Sequence, residues 1–423
     1  MHNIIIQILS AFVPNKQKRK AFRKKYKNAH DDTSVLLLSQ QYNTLKNEYS
    51  SALFNLYQEV AKVDRESQSY DIEKILNNPN ICPYNKTYLD SQISWIELLF
   101  ENRKFSSIDS REPAPNNPNF FYGCGIRPEG NIHILQSALI YHQPLFYVED
   151  CFLRSIFSVA YKNIEPEFQK SIGFTIDDLT PYYDATLPSR LEQMLNDSKL
   201  KISEKQIERA KSCIKKLIQT RLSKYNNQPI FTPEIGRKGI KKVLVVDQSY
   251  GDMSVLKGWG SEETFKKMLQ TAIDENPDAD IIVKTHPDTI SGTRGGYYTG
   301  LKPHGHIYTQ TDPINPISLI QYCDKVYVCT TQFGFEALMC GKEVHTFGMP
   351  FYAGWGLTKD DQICPRRNNT RTLEELFYIT YIMYSYYVNP ETGKRCEIEE
   401  AMDYLLKLRE KYFEKANIRK DIK

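Results

Sequence analysis

Four runs in this 423-residue chain put acidic, cationic or hydroxyl side chains where apolar segments end. In VVDQSYGD, Asp247 and Gln248 follow the apolar run, and Asp252 comes directly after Gly251. A carboxylate there could stabilise or trap an electron-poor sugar carbon, although Asp beside Gly is also ordinary turn chemistry. In IIVKTHP, Lys284, Thr285 and His286 end a second apolar run and Pro287 stops it. Such a cationic, hydrogen-bonding cluster could hold a phosphate, and a His before Pro is equally a turn residue. In VYVCTTQFGFEALMCG, Thr330 and Thr331 precede a helical stretch. Hydroxyls and backbone N–H groups at a helix start favour an anion, or merely cap the helix. Glu336, one turn on, could accept hydrogen bonds from a ribose or stand solvated on the helix surface. Finally, PLFYVEDCFLRS sets Glu149 and Asp150 side by side, with Arg154 close behind. Adjacent carboxylates raise one another's pKa, which suits acid/base work if one is partly buried; a surface turn is the alternative. Together these groups are what transfer from a nucleotide-activated sugar needs: binding for the phosphate, a carboxylate for the oxocarbenium-like centre, and an acid/base for the acceptor.

Positioning them requires strand ends. From Phe120 onward, short apolar runs alternate with helical stretches: Phe120–Tyr122, a helix near Ile132–Tyr141, and Leu145–Val148. The rhythm resumes with Lys242–Val246, a helix over Glu262–Asp274, Asp280–Lys284, Ser318–Tyr322, Lys325–Cys329, Gly334–Cys340 and Glu343–Phe347. Strands separated by helices imply βαβ units and parallel sheets, with ligands at the carboxyl ends of the strands. The expected architecture is α/β, two Rossmann-like domains facing a cleft behind a helical N-terminal leader. Its boundaries fall at 1–28 (basic segment), 29–105 (helical leader), 106–119 (a linker holding Pro113, Pro115 and Pro118), 120–230, 231–396 and a C-terminal helix at 397–423. Leu38, Tyr42, Leu45, Tyr49, Ala52, Leu56 and Val63 give the leader an apolar stripe. Glu204–Leu222 reads as a long polar-faced helix, and Asn226–Pro233 as a hinge-like connection.

With 41% apolar and 25% charged residues, the composition is that of a soluble globular protein and excludes a disordered chain. No apolar run has the ~18 residues of a membrane span. The nine cysteines form no Cys-x-x-Cys pair, which fits a reducing cytoplasm and argues against a zinc site. The net charge is +4, yet residues 1–27 carry eight Lys or Arg and no acid, leaving −4 for the rest. That concentration argues against a nucleic-acid-binding face and, beside the apolar run Ile4–Val13, suits contact with an anionic membrane surface. A buried first strand followed by a solvated basic helix is the competing expectation.

The runs GCGIRP (123–128), PLFYVEDCFLRS (144–155), YYDATLPSRLE (182–192), KVLVVDQSYGDMS (242–254), ADIIVKTHPD (279–288) and VYVCTTQFGFEALMCGKEVHTFGMPFYAGWGLT (326–358), with Arg366 and Arg367, occur in the order of a known family. In them the chain resembles the capsular polysaccharide β-Kdo transferases of the KpsC/LipA type. The resemblance implies a GT-B fold, a CMP-Kdo donor and retention giving a β-linkage; another CMP- or UDP-sugar donor and a non-catalytic role in polysaccharide export are the alternatives, and no metal or other cofactor is expected. It implies Asp252 as nucleophile, with Glu149 and Asp150 for acid/base chemistry and Glu149 the better candidate. It places Gln248, His286, Pro287, Thr330 and Thr331 in the donor site, and Lys284, Gln332 and Glu336 complete the set expected there. The partners would be the nucleotide sugar and a glycan or lipid-linked glycan, met by a cytoplasmic protein peripheral on the inner membrane. Two departures stand out. Cys151 replaces a Gly that could supply a positive φ or close approach to the sugar. And the chain has room for one transferase module, where family members often carry two.

Overall fold

The structure, a computed structural model, describes residues 71–77, 95–100, 119–122, 145–285 and 295–418. The basic segment, most of the expected leader with its apolar stripe, the linker up to residue 118, the helix expected near Ile132–Tyr141, and His286 with Pro287 lie outside the described residues.

In chain order the strands are β1 (Asn119–Tyr122), β2 (Leu145–Asp150), β3 (Gly173–Asp177), β4 (Lys242–Val246), β5 (Asp280–Lys284), β6 (Ile307–Gln310), β7 (Lys325–Val328), β8 (Glu343–Thr346), β9 (Lys359–Asp360), β10 (Ser385–Asn389) and β11 (Lys394–Cys396). They form a six-stranded sheet, β6-β5-β4-β7-β8-β9, and a five-stranded one, β1-β2-β3-β10-β11. All pairings in the larger sheet are parallel. Its central strands are near-continuous Val, Ile and Leu because helices cover both faces. Alternation then divides their side chains. Val243, Val245, Ile281 and Val283 pack on Phe265, Met268 and Ala272 of the Glu262–Glu275 helix. Leu244, Val246, Ile282, Val326 and Val328 face the other way, into a core shared with Phe146, Val148, Phe174 and Ile176 of the smaller sheet.

The smaller sheet departs from the parallel expectation. Only β1 and β2 are parallel; β2-β3, β3-β10 and β10-β11 run antiparallel. The expected boundaries at 230/231 and 396/397 are corrected accordingly. Strands β10 and β11 return from the far end of the chain to complete the first half, with Ser385 opposite Thr175. Antiparallel partners as distant in the chain as β3 and β10, with six strands between them, follow no local helix-strand rhythm, so the sequence pattern could not reveal this return. The Ile398–Lys415 helix returns too, beside the Glu204–Thr220 helix, where Arg209 bonds Glu397 and Glu399 and Lys216 bonds Asp403. The expected hinge begins at a fixed point: Asn226 is fully buried and its side chain bonds Ser155 O and Ser223.

Candidate functional site

The carboxyl ends of β4 and β7 are stitched together by one side chain. Gln248 Oε1 accepts from the Thr330 amide at 2.9 Å, and its Nε2 donates to the Thr330 hydroxyl at 3.1 Å. The same amide group reaches Ser254 Oγ at 3.5 Å, and Ser254 bonds Asp252 Oδ1 through its N–H (2.9 Å) and hydroxyl (3.0 Å). Asp252 therefore caps the short Met253–Lys257 helix with one oxygen, as an Asp N-cap does. Its Oδ2 has no hydrogen bond among the described residues, and the side chain is half-buried. A carboxylate fixed through one oxygen, with no described partner on the other, has the chemistry of a nucleophile.

Thr330 is seated by glycines. A Cβ on Gly258 would come within 2.5 Å of Thr330 Cγ2 and 2.4 Å of Ser254 O; one on Gly348 would meet Thr330 Cγ2 at 2.6 Å. Between Gly258 and Gly260, Trp259 holds φ of +62°, a conformation strained for a bulky residue. The expectation for the threonine pair is thus refined. The amide and hydroxyl of Thr330 are spent on Gln248, whereas the Thr331 hydroxyl accepts only from Phe333 N at 3.3 Å among the described residues.

Beside β4, Asp247 is 1% exposed and accepts from the N–H groups of Gln248, Tyr297 and Tyr298, locking the chain at 295–298 against the strand end. Burial lifts its carboxyl to about 6 despite those bonds. Across the β4-β5 pairing, Lys284 is 6% exposed, and its ammonium bonds only Thr285 O (3.3 Å) among the described residues. Burial pulls it down to about 8. Lys284 continues the face of Ile282, toward the core shared with the smaller sheet. Among the described residues no carboxylate pairs with this buried lysine, a setting chemically suited to an anion.

Two of the expected donor ligands make bonds within the protein. Glu336 is not on the helix surface but 3% exposed, accepting from Ser223 Oγ at 2.6 Å and Gln332 Nε2 at 3.3 Å. Burial drives its carboxyl up to about 7, with those two bonds opposing. Gln332 turns toward the first half, donating to Phe152 O at 2.9 Å. Both residues join the two halves, Glu336 through Ser223 and Gln332 through Phe152 O.

On the first half, Glu149 and Asp150 part company, as neighbours on a strand do. Asp150 is held by Arg154 at 2.6 Å; that guanidinium is 1% exposed and also bonds Ser155 and Gln169 O. This ion pair anchors Asp150 to the buried Arg154. Glu149, 7% exposed, bonds Tyr183 OH at 3.2 Å. Next to Tyr183, Asp184 pairs with Lys257 at 3.3 Å, and Ala185 N bonds Lys257 O, so this loop docks on the helix that Asp252 caps. Arg366 and Arg367 both grip Glu192, while Arg366 also bonds Ala185 O. Cys151 does not obstruct the site: it has no positive φ, and its fully buried Sγ fills the space left by Gly173, where a Cβ would lie 2.2 Å away. Among the described residues no group of His, Cys, Asp or Glu could hold a metal ion, and no helix is long and apolar enough to cross a membrane.

A family described as capsule polysaccharide biosynthesis protein matches residues 207–391. Among solved structures, Thermosulfurimonas dismutans KpsC, beta Kdo 2,4 transferase, is similar with a TM-score of 0.69 and 33% identity, covering 77% of this chain and 98% of that one. The chain belongs to the capsule polysaccharide Kdo transferase family. Its fold is accordingly α/β and GT-B-like. The beta Kdo 2,7 transferase of the same bacterium's KpsC is similar at a TM-score of 0.57 and 26% identity, covering 78% of this chain and 99% of that one. The capsule polysaccharide modification protein LipA of Neisseria meningitidis serogroup B is 40% identical over 299 residues, 68% of this chain and 41% of LipA. The lipopolysaccharide-processing protein LpsZ of Rhizobium meliloti is 34% identical over 260 residues, 61% of this chain and 58% of LpsZ. The chain thus spans about two fifths of the length of the LipA it matches.

Proposed function

We propose that the protein is a glycosyltransferase of capsular or surface polysaccharide biosynthesis that moves Kdo from CMP-Kdo to a glycan or lipid-linked glycan, with net retention. The observation that carries this reading is Asp252, held through Oδ1 and without a hydrogen bond at Oδ2 among the described residues, in a chain similar to solved proteins named beta Kdo transferases. The anomeric carbon of Kdo bonds to Asp252 Oδ2 while its bond to the phosphate breaks, and CMP leaves with that electron pair. An acceptor hydroxyl, surrendering its proton to Glu149, then displaces the aspartyl ester and restores the carboxylate. Two inversions give retention. Lys284 supplies the charge opposite the CMP phosphate, and the Thr331 hydroxyl supplies a neutral donor. The acceptor is met at the inner face of the bacterial inner membrane, to which the basic residues among 1–27 are drawn.

The test is CMP release from CMP-Kdo on addition of acceptor. The wild type releases CMP and Asp252→Ala does not. Glycan binding with no donor turnover by the wild type would indicate an export or carrier role instead, and undiminished turnover by the variant would remove Asp252 from the mechanism.

A further inference from the structure

Two residues before Asp252, Tyr250 is 56% exposed, one of a few exposed large apolar side chains among the described residues. An isolated exposed aromatic needs no explanation by itself. Tyr250 differs in being exposed and fixed at once. Its amide donates to Gly295 O at 2.7 Å, beside the bridge between Ser249 and Gly296. Its hydroxyl donates to Glu262 Oε1 at 2.8 Å. Its ring lies 5.2 Å from that of Tyr297, which stacks on Phe265 at 4.0 Å with only 3° between the planes. Phe265 is 1% exposed, so this stack is rooted in the core. Gly251, at φ of +72°, then turns the chain from Tyr250 to Asp252. Burying half a tyrosine while restraining the rest costs side-chain entropy that an ordinary surface residue keeps.

We infer that the Tyr250 ring is a stacking platform for a saccharide unit of the acceptor, beside the carboxylate that carries the transferred sugar. This rests on the transferase reading above. A pyranose face presents C–H bonds with slight positive charge, complementary to the electron-rich face of an aromatic ring. A tyrosine prefixed in place adds contact area at little further entropic cost. The acceptor is the fitting occupant because the ring is open to solvent: the donor sugar must sit at Asp252, whereas a growing glycan extends away from it.

The experiment compares wild type with Tyr250→Ala, Tyr250→Phe and Tyr250→Trp, using a fluorescently tagged Kdo disaccharide as acceptor probe. Tyr250→Ala should raise the acceptor KM about tenfold, the scale of one aromatic contact. The Phe and Trp variants should stay near wild type. Labelling of the protein by CMP-Kdo without acceptor should be unchanged in all, a readout that a collapsed loop around Asp252 would alter. An unchanged acceptor KM in Tyr250→Ala overturns the platform, as does an equal loss of donor labelling. A wild type without turnover would refute the transferase reading instead. Direct titration with the tagged disaccharide then still decides about Tyr250: weaker binding by the Ala variant supports the platform, and equal binding or none by the wild type refutes it.

Discussion

Replacing Lys284 by Met separates what this lysine costs the fold from what it does for a ligand. Met keeps an unbranched side chain of similar length and removes the charge. Lys284 is 6% exposed, and its ammonium has one carbonyl contact at 3.3 Å among the described residues. The oxygens of neighbouring Asp247 are already occupied by backbone N–H groups. Burial lowers the lysine from its ordinary 10.5 to about 8. That difference corresponds to roughly 3 kcal/mol by which the folded state disfavours the charged form. The sign follows: the unfolded chain holds this proton more tightly, so wild-type stability should rise as pH climbs from about 8 to 10.5, and the deficit is full below about 8. In urea unfolding at pH 7, Lys284→Met should therefore be more stable by up to about 3 kcal/mol, with the gap closing toward pH 10.5. Ligand binding should move the opposite way. CMP should raise the unfolding temperature of the wild type and leave that of Lys284→Met unmoved, because the phosphate needs the cation. Wild-type affinity for CMP should fall about tenfold per pH unit above about 8. A variant that is less stable at every pH, or one that CMP protects as well as the wild type, would refute the reasoning.

Two further substitutions test the joints around the site. Glu336 carries a carboxyl that burial raises to about 7, so its proton is bound more tightly in the folded state, and the stability this gives is present below about 4.5 and lost as pH rises through 7. Glu336→Gln should therefore unfold at higher urea than wild type at pH 8 and match it near pH 5. Gly258→Ala would put a methyl 2.5 Å from Thr330 Cγ2 and 2.4 Å from Ser254 O, so it should cost about 1–3 kcal/mol in urea unfolding and slow CMP release by displacing Thr330 from Gln248.

The larger sheet was legible because its strands are uniform runs: KVLVV and DIIVK can be little else than strands buried on both faces. The chemistry at their ends was legible for the same reason, since a polar residue directly after such a run lands at the sheet's carboxyl edge. Gln248, Lys284 and Thr330 were placed at strand ends this way, whereas Asp252 lies further along the loop and owed its expected role to the resemblance. What escaped depends on partners distant in sequence. SYYVN at β10 has no strong pattern of its own and becomes a strand by pairing with β3. Asp150 looks like half of a carboxylate dyad until Arg154 folds back on it. Glu336 reads as solvated until Ser223, at the end of another helix, covers it. The GWG at 258–260 suggested nothing, since its glycines matter only where Thr330 and Cys329 press against them. Cys151 looked obstructive because its compensating partner, Gly173, lies on the neighbouring strand.

The central claim, that Asp252 carries the sugar, is tested most directly by intact mass after incubation with CMP-Kdo and no acceptor. The account predicts a fraction of wild-type protein heavier by one Kdo residue, discharged on adding acceptor and absent from Asp252→Asn. A wild type that turns over without ever carrying the added mass, or the same adduct on Asp252→Asn, would contradict it.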